Sequence, residues 1–558
     1  MARDRAARLL VATALLCQLP GCARDAEDGP GPDPPGRTGG SLRLDAPQLD
    51  QLRSLDPVRV TDVNSGSVAA AIYEGLLGYS PDSPGHLVPL LASWWETSEE
   101  GRVWTFGLRD GVRFHDDPCF EGGRGRPVTV EDVRDSIVRS LREGERAAPL
   151  SLRDLIEGAG DLGGGPSGEV PGIEIVDETT IRFRIVRASD AFPHALATSA
   201  GWVVPWEALR RYGAGFGHHP VGTGPFRLAG WNTETMVLVR NDHYWRTDAD
   251  GRRLPYLDSI VMRRGEFSGR RRTVLSALLD GSLHAVYFTG ELDWAEFGRL
   301  SEFMGDRGVG TVRTPKLNTI FYGWNMARDN VWTRHPELRR AVFHAVNRPA
   351  PTDLMEPASG LLPPGLTECA ATEPARRDPR RARELLREAG FPGGRGLPPL
   401  RIGAVGRTEY LLRNVLEPLE EVGIETDVRV TPWDLHWEAL ERGEYEFFRD
   451  GWIADYPDPG NFYQLFYSGS AMNHTRYSDP TYDRLFERFQ ALPADSPERR
   501  RICARLEAIL RRDCPAVFLY HERSVYLVRR EVRNVDAFVN PFERKFYELV
   551  WLDRGARP

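Results

Sequence analysis

The chain has 558 residues, of which 41% are hydrophobic and 27% are charged, so it is long enough to bury a sizeable core in one large unit or several domains. Its formal net charge of −8 argues against a nucleic-acid binder, which usually carries a basic stripe. Of the 72 basic residues only Lys316 and Lys545 are lysines, a bias that we attribute to genome composition.

The N-terminus has the pattern of an export signal followed by a tether. Basic residues precede an apolar run, Leu9–Leu16, that is too short to span a bilayer. The following Leu19-Pro20-Gly21-Cys22 resembles a bacterial lipobox, which implies that residues 1–21 are a lipoprotein signal peptide and that Cys22 is diacylated. Two acyl chains would hold the chain on a membrane. Residues 22–40 are rich in Gly, Pro and charge, which predicts a flexible tether; an ordinary secretory signal is the alternative.

Periodicity predicts short strands and helices along the rest of the chain. Apolar alternation and turn signals predict strands at 41–46, 104–108, 173–176 and 181–185. Apolar spacing and caps predict helices at 68–77, from 130 with Thr129 and Asp132 as a capping box, and from Pro379 with Asp378 as N-cap and Gly390 at its end. The absence of a regular βαβ repeat favours a mixed α/β (α+β) fold class.

Four cysteines, Cys119, Cys369, Cys503 and Cys514, lie outside the signal and lipobox. An exported chain permits disulfides, and no spacing among these residues predicts a zinc site. Helix between Cys503 and Cys514 would separate them by ~16 Å, beyond the ~7 Å that a bridge allows, so they should not pair. A bridge between Cys119 and Cys369 is left open.

Other motifs do not support a metal, cofactor or catalytic site. Gly222-Thr223-Gly224 is followed by Pro225 and not by Gly-Lys-Ser/Thr, so it predicts a tight turn. His218 and His219 are adjacent but have no evident third metal ligand. No nucleophile motif or HExxH is present, so the sequence predicts neither an enzyme nor a resident cofactor.

A series of motifs occurs in a fixed order: Leu55-Asp56-Pro57, Ile72 to Tyr79, Val88 to Trp94, Thr105 to Asp116, Val128 to Ile137, Pro220 to Leu228, Arg240 to Trp245, Leu338 to Arg348, and Gly451 to Pro459. Together they resemble the family 5 extracellular solute-binding proteins of ABC importers, the dipeptide- and oligopeptide-binding group. The resemblance covers roughly Leu42 to Leu552. It departs at Asn347, where the family usually has an acid.

The resemblance implies a two-lobed, periplasmic-binding-protein-like fold with an extra subdomain and a ligand cleft between the lobes. On this chain, lobe I would comprise residues 41–80, 204–312 and 522–558. The extra subdomain of lobe I would be 81–203, and lobe II would be 313–521.

Asp455 is the leading candidate for contact with a ligand. Trp452, Ile453 and Tyr456 surround it, and an aspartate is rarely buried unless it is paired, so it faces either water or a cation. The resemblance matches Asp455 to the acid that holds a peptide's α-ammonium. The alternative is a solvated or arginine-paired acid in a turn before Pro457.

The resemblance places further ligand contacts on Trp452, Trp433, Arg449 and Ala454. Tryptophan would supply apolar area and an N–H, and Arg449 could meet a peptide carboxylate. Core aromatics are the alternative for the tryptophans. Leu440 stands where oligopeptide binders with this motif have an arginine, which leaves the residue that holds the ligand's C-terminus unassigned.

The sequence therefore predicts a lipid-anchored monomer in the periplasm or on the outer cell surface. It would capture di- or oligopeptides and deliver them to ABC permease subunits by lobe closure. Within the same fold the alternatives are receptors for nickel chelates, haem, opines or oligosaccharides. Outside it they are a secreted hydrolase and a sensor or chaperone-like lipoprotein.

Overall fold

The computed structural model describes residues 37–555 with internal gaps at 47, 61, 82, 84, 145–151, 161–169, 265–270, 289–293, 350–351, 353, 367–368, 370–375, 407–408, 494–495, 541–544 and 554. The predicted signal peptide, Cys22 and most of the predicted tether lie outside the described residues. No helix within them has the length and apolar character needed to cross a membrane.

Strands and helices alternate irregularly along the described chain. The strands are β1 Ser41–Asp45, β2 Leu77–Tyr79, β3 Leu87–Pro89, β4 Ala92–Ser98, β5 Val103–Leu108, β6 Ile173–Asp177, β7 Thr180–Arg184, β8 Phe226–Trp231, β9 Thr235–Arg240, β10 Ser259–Arg263, β11 Ala285–Phe288, β12 Val309–Pro315, β13 Asn318–Trp324, β14 Met355–Pro357, β15 Leu400–Val405, β16 Thr426–Thr431, β17 Phe447–Ile453, β18 Ala516–Arg529, β19 Val532–Arg533 and β20 Trp551–Leu552. The α-helices are α1 Val63–Ala69, α2 Val130–Glu143, α3 Leu152–Leu155, α4 Ala191–Leu196, α5 Trp206–Tyr212, α6 Arg271–Asp280, α7 Trp294–Gly305, α8 Val331–Arg334, α9 Pro336–Ala345, α10 Pro379–Glu388, α11 Glu409–Glu421, α12 Trp433–Glu441, α13 Gly460–Tyr463, α14 Pro480–Gln490 and α15 Pro497–Asp513.

The capping signals have the structures that they predict. The Thr129 side chain accepts from the N–H of Asp132 while the Asp132 carboxylate accepts from the N–H of Thr129, which completes a capping box for α2. At α10 the Asp378 carboxylate accepts from the N–H of Arg381, and Pro379 takes the first helical position. All four predicted strands are present.

The helix predicted at 68–77 is wrong. Helix α1 ends at Ala69, and Leu77–Tyr79 forms β2, which pairs antiparallel with β3. Residues 71–77 are all buried, so the apolar run has no exposed face. A short, fully buried run does not distinguish helix from strand by period alone.

One long sheet runs through the molecule in the order β16-β15-β17-β13-β18-β11-β1-β10-β9-β8, with β12 and β14 also paired to β18. Strand β18 is shared by two lobes. Its first half pairs with β13 and β14, and its second half pairs with β12 and β11. A separate four-stranded antiparallel sheet has the order β4-β5-β7-β6.

Each lobe has its own apolar core. We call "first lobe" the elements around the buried cluster that contains Leu42, Phe106 and Leu238. We call "second lobe" the elements on the two faces of the β13–β17 sheet, where one face buries Ile320 and the other buries Phe321. The domain boundaries expected from sequence stay a prediction.

The cysteines pair differently from the bridge left open by the sequence. Cys369 bonds to Cys503 across 134 positions, while Cys119 and Cys514 are free thiols. A bridge between Cys119 and Cys369 is therefore wrong, because Cys503 on α15 lies beside Cys369. Cys503 and Cys514 stay unpaired with each other, as the intervening helix predicts.

Candidate ligand-binding cleft

The candidate residues lie at one edge of the second-lobe sheet. Strands β16, β15 and β17 are parallel neighbours, so their carboxyl ends meet at the same edge. Trp433 follows β16 and Asp455 follows β17 at this edge. Strand β13 runs antiparallel to β17 and begins there with Asn318 opposite Ile453. Ligands of open α/β sheets bind outside such carboxyl ends, and this geometry makes the edge the candidate site.

Asp455 is exposed between two buried neighbours. Ala454 is 7% exposed and its N–H donates to the carbonyl of Leu317 at 2.7 Å. Tyr456 is 3% exposed, whereas Asp455 itself is exposed. The backbone is thus held on both sides while the carboxylate reaches the edge.

Asn461 links Asp455 to Trp452. The Asn461 side chain is fully buried, and its Nδ2 donates to Oδ2 of Asp455 at 3.1 Å. Its Oδ1 accepts from the Asp455 N–H at 3.2 Å and from Nε1 of Trp452 at 2.6 Å. One amide therefore orients both predicted contact residues. No sequence motif pointed to Asn461, because its role depends on the chain returning through α13.

Trp433 lies at the start of α12 with about half of its surface exposed. Its ring stacks on His436 at 6.2 Å between centroids. Nε2 of His436 donates to the backbone carbonyl of Arg449 at 2.7 Å, which fixes α12 against β17. Burial lowers the pKa of His436, which favours the neutral ring with one N–H donor for this bond.

Arg449 lies opposite Tyr322 of β13 and is half-buried. Burial raises the pKa of Tyr322 to about 12, and the nearby guanidinium acts in the opposite direction. Within the described part of the chain, no side chain or carbonyl forms a hydrogen bond or ion pair with that guanidinium. The cation is available for an acceptor that approaches from the edge.

The structure joins the predicted residues in two groups. Asp455, Trp452 and Ala454 form one group around Asn461, and Trp433 and Arg449 form the other through His436. Arg449 and Trp452 are three positions apart on a strand, so their side chains leave opposite faces of the sheet. Leu440 is buried with Tyr445 and Phe448, which explains why no charged group occupies that position.

The two lobes touch next to Asp455. The Tyr456 ring stacks on His194 of α4 at 5.3 Å, and His194 in turn stacks on Tyr79 at 5.7 Å. Tyr456 thereby joins the first-lobe core. This places Asp455 at the boundary between the lobes.

A buried arginine adds an ion pair across the same boundary. Arg499 of α15 pairs with Asp458, and its guanidinium lies 3.8 Å from the carboxylate of Asp190 at the start of α4. The ring of Phe489 packs against the guanidinium at 4.1 Å. We call the Tyr79–His194–Tyr456 stack and the Asp190–Arg499–Asp458 pairs the inter-lobe clasp.

The adjacent histidines do not form a metal centre. His218 stacks on Trp231 at 4.5 Å, and His219 stacks on Tyr212 at 4.6 Å. Among the residues that the structure describes, no group of three His, Cys, Asp or Glu side chains could hold a metal ion.

Two lobes that share a long strand, with a candidate site at the edge between them, define a solute-binding protein of the two-lobed class. The chain belongs to the bacterial extracellular solute-binding proteins, family 5, whose model matches residues 86–474. Members of this family are substrate-binding receptors of ABC transporters and not enzymes.

Comparison with individual proteins agrees with the family. The chain is 27% identical over 510 residues to the glutathione-binding protein GsiB of Shigella flexneri, covering 87% of this chain and 89% of the relative. Periplasmic binding protein DppA of Helicobacter pylori, in complex with the peptide STSA, has a TM-score of 0.74 at 23% identity and covers 93% of this chain and 99% of its own. A dipeptide-binding protein of Pseudoalteromonas sp. SM9913 with Met-Leu has a TM-score of 0.73 at 19% identity, with 92% and 100% covered. These structures establish the two-lobed fold.

Proposed function

We propose that this protein captures peptides between its lobes and passes them to an ABC permease. The observation that carries the proposal is the position of Asp455, an exposed carboxylate at the lobe boundary whose neighbours are buried and whose orientation is fixed by Asn461. A carboxylate held in this way suits the α-ammonium that every peptide with a free N-terminus carries. Closure around the ligand would remove water and strengthen the charge pair.

The aromatic and cationic groups fit the rest of a peptide. The half-exposed ring of Trp433 offers apolar area without demanding one side chain, and the Trp452 indole is fixed by Asn461. The guanidinium of Arg449 suits a backbone carbonyl or a carboxylate further along the ligand. Ala454 contributes backbone next to the ammonium site.

Calorimetric titration with Ala-Ala-Ala and N-acetyl-Ala-Ala-Ala tests this proposal. The acetylated peptide lacks the ammonium and should not bind measurably. Asp455→Ala should weaken binding of the free peptide by about tenfold to a hundredfold, because a hydrogen bond to a charged group contributes roughly 1.5–3 kcal/mol. Asp427→Ala, a change at an exposed acid on β16, is the matched control. Equal binding of the two peptides would refute recognition of the α-ammonium by Asp455, and no measurable binding of either would refute peptide capture and favour a non-peptide ligand.

Glutathione is a specific candidate because the curated relatives are named glutathione-binding proteins. It is a tripeptide with a free α-ammonium and two carboxylates, so it offers the same group to Asp455. Titration with reduced glutathione beside Ala-Ala-Ala tests this candidate. Glutathione should bind more tightly than Ala-Ala-Ala if it is the preferred ligand, and weaker binding rejects it.

We further propose that Cys22 carries a lipid anchor and that the protein works as an extracytoplasmic monomer. The support is the lipobox-like Leu19-Pro20-Gly21-Cys22 behind the apolar run. Cys22→Ala should move the protein from the membrane fraction to the soluble fraction. Unchanged membrane association would remove this part of the proposal.

A further inference from the structure

Both lysines of the chain contact the same pair of tyrosines. Tyr287 of β11 and Tyr526 of β18 are opposite each other in the sheet, with ring centroids 5.1 Å apart. Nζ of Lys316 lies 5.3 Å from the Tyr287 centroid. Nζ of Lys545 lies 4.9 Å from the Tyr526 centroid and donates to the Tyr526 hydroxyl at 2.7 Å.

The shared contact with one tyrosine pair indicates that lysine at these two positions is not an accident of composition. All other basic side chains among the 72 are arginines, so composition favours arginine at any position that needs only a positive charge. Two exceptions at one cluster indicate that the cluster needs lysine itself. Lysine offers a compact ammonium with three donors on a flexible stem, whereas arginine offers a planar fork that stacks on rings.

Lys316 lies at the candidate site. Strands β13 and β17 pair with Asn318 opposite Ile453, and the Leu317 carbonyl continues the pairing by accepting from the Ala454 N–H. Lys316 and Asp455 each lie one position beyond this hydrogen bond, so a basic and an acidic residue follow directly where the two strands end.

Lys545 borders the lobe boundary from the first lobe. It lines a cavity of about 60 Å³ together with Tyr79, whose ring belongs to the inter-lobe clasp. Lys316 lies between β12 and β13 and Lys545 follows β19, so the two ammonium groups reach the tyrosine pair from separate segments of the chain.

The cluster already accommodates a carboxylate. Glu522 of β18 is 3.7 Å from the Lys316 ammonium, and the same carboxylate accepts from Nδ2 of Asn318 at 2.8 Å. Lys316 is itself 7% exposed, so its charge acts in a partly dry setting where an ion pair is stronger than in water. The chemistry that this cluster favours is that of a carboxylate.

We propose that Lys316 and Lys545, with Tyr287 and Tyr526, form an anion subsite that selects peptides whose first residue carries a carboxylate. The carboxylate is that of an N-terminal glutamate or aspartate side chain, or the α-carboxylate of a γ-glutamyl residue. It would belong to the same ligand residue as the α-ammonium that Asp455 would hold. This inference rests on the proposed function and adds the ligand's chemical class to it.

Titrations with Glu-Ala-Ala, γ-Glu-Ala-Ala and Gln-Ala-Ala test the subsite on the whole mature chain. The wild type should prefer an acidic peptide over Gln-Ala-Ala by at least about tenfold, the lower value for a charge-assisted hydrogen bond. Lys316→Met and Lys545→Met keep the stem length and remove the charge. Each should lower the affinity for the acidic peptides and bring the preference toward unity, and an unchanged melting temperature shows that the fold is intact. The two acidic peptides distinguish a side-chain carboxylate from an α-carboxylate.

Two further variants sharpen the result. Lys316→Arg keeps the charge and should retain part of the preference. Arg313→Met removes an exposed cation three positions earlier and should leave the preference unchanged. Equal affinity of the wild type for all three peptides, or a preference that survives both methionine variants, overturns the subsite alone. Failure of all three peptides to bind overturns the proposed function and the subsite together.

Discussion

At the scale of single residues, the candidate site depends on a side chain that carries no charge. Asn461 uses its amide oxygen on Trp452 and on the Asp455 backbone, and its amide nitrogen on the Asp455 carboxylate. Because Asn461 is fully buried, it has no route to a bound peptide except through these two residues. It is therefore a positioning residue for Asp455.

Asn461→Ala should weaken peptide binding by about fivefold to tenfold, because an unfixed carboxylate loses part of its charge-assisted hydrogen bond. In the Asp455→Ala background the same change should cost little further affinity, since the group that it positions is gone. Calorimetry on the four proteins of this double-mutant cycle measures the coupling. Additive losses would show that Asn461 affects binding independently of Asp455, and the melting temperature of each variant serves as the control for stability.

The sequence could predict Asp455 but not Asn461, for a physical reason. An acid in apolar surroundings is costly, so the neighbours of Asp455 in the sequence are enough to single it out. An asparagine is compatible with almost any turn, and its role arises only when α13 brings it back to β17. The opposite directions of Arg449 and Trp452 follow from their spacing on a strand, which the sequence also contains.

At the scale of elements, α15 connects several parts of the second lobe. It carries Arg499 toward the first lobe and Cys503 toward the loop after β14. The helix between Cys503 and Cys514 follows from local pattern, but the partner of Cys503 does not, because 134 positions separate the two bridged cysteines in sequence. Such a pairing depends on tertiary packing, which cannot be deduced from the spacing of the cysteines in the sequence.

Replacing both bridged cysteines by alanine should lower the free energy of unfolding by about 2–4 kcal/mol, because the unfolded chain loses a long closed loop. Urea denaturation of Cys369→Ala/Cys503→Ala against the wild type measures the effect. Cys119→Ala is the matched control, since Cys119 is a free thiol, and its midpoint should change little. An identical midpoint for the double variant and the wild type would contradict a stabilising bridge in solution.

At the scale of the whole molecule, two kinds of connection join the lobes. Strand β18 is covalently continuous and pairs with both lobes, so it persists in any relative orientation. The inter-lobe clasp instead consists of side-chain contacts, which an opening motion would separate. The clasp flanks Asp455, so we expect the proposed lobe closure to form the proposed ammonium site in the same step. We therefore expect the strength of the clasp to set part of the ligand's affinity, because a ligand that binds only the closed form has its apparent affinity reduced by the fraction of open molecules.

Asp190→Asn/His194→Ala weakens both halves of the clasp without altering any residue proposed to touch the ligand. An aromatic pair contributes about 0.5–1.5 kcal/mol, so peptide affinity should fall by about twofold to tenfold. The ligand-free variant should have a larger radius of gyration by small-angle X-ray scattering, and saturating peptide should restore the wild-type value. Glu178→Gln, on an exposed turn of the first lobe, should change neither quantity. If the variant keeps the wild-type affinity and scattering, the clasp does not stabilise the closed state. If it loses affinity but stays compact without peptide, the clasp residues act on the site directly and not through closure.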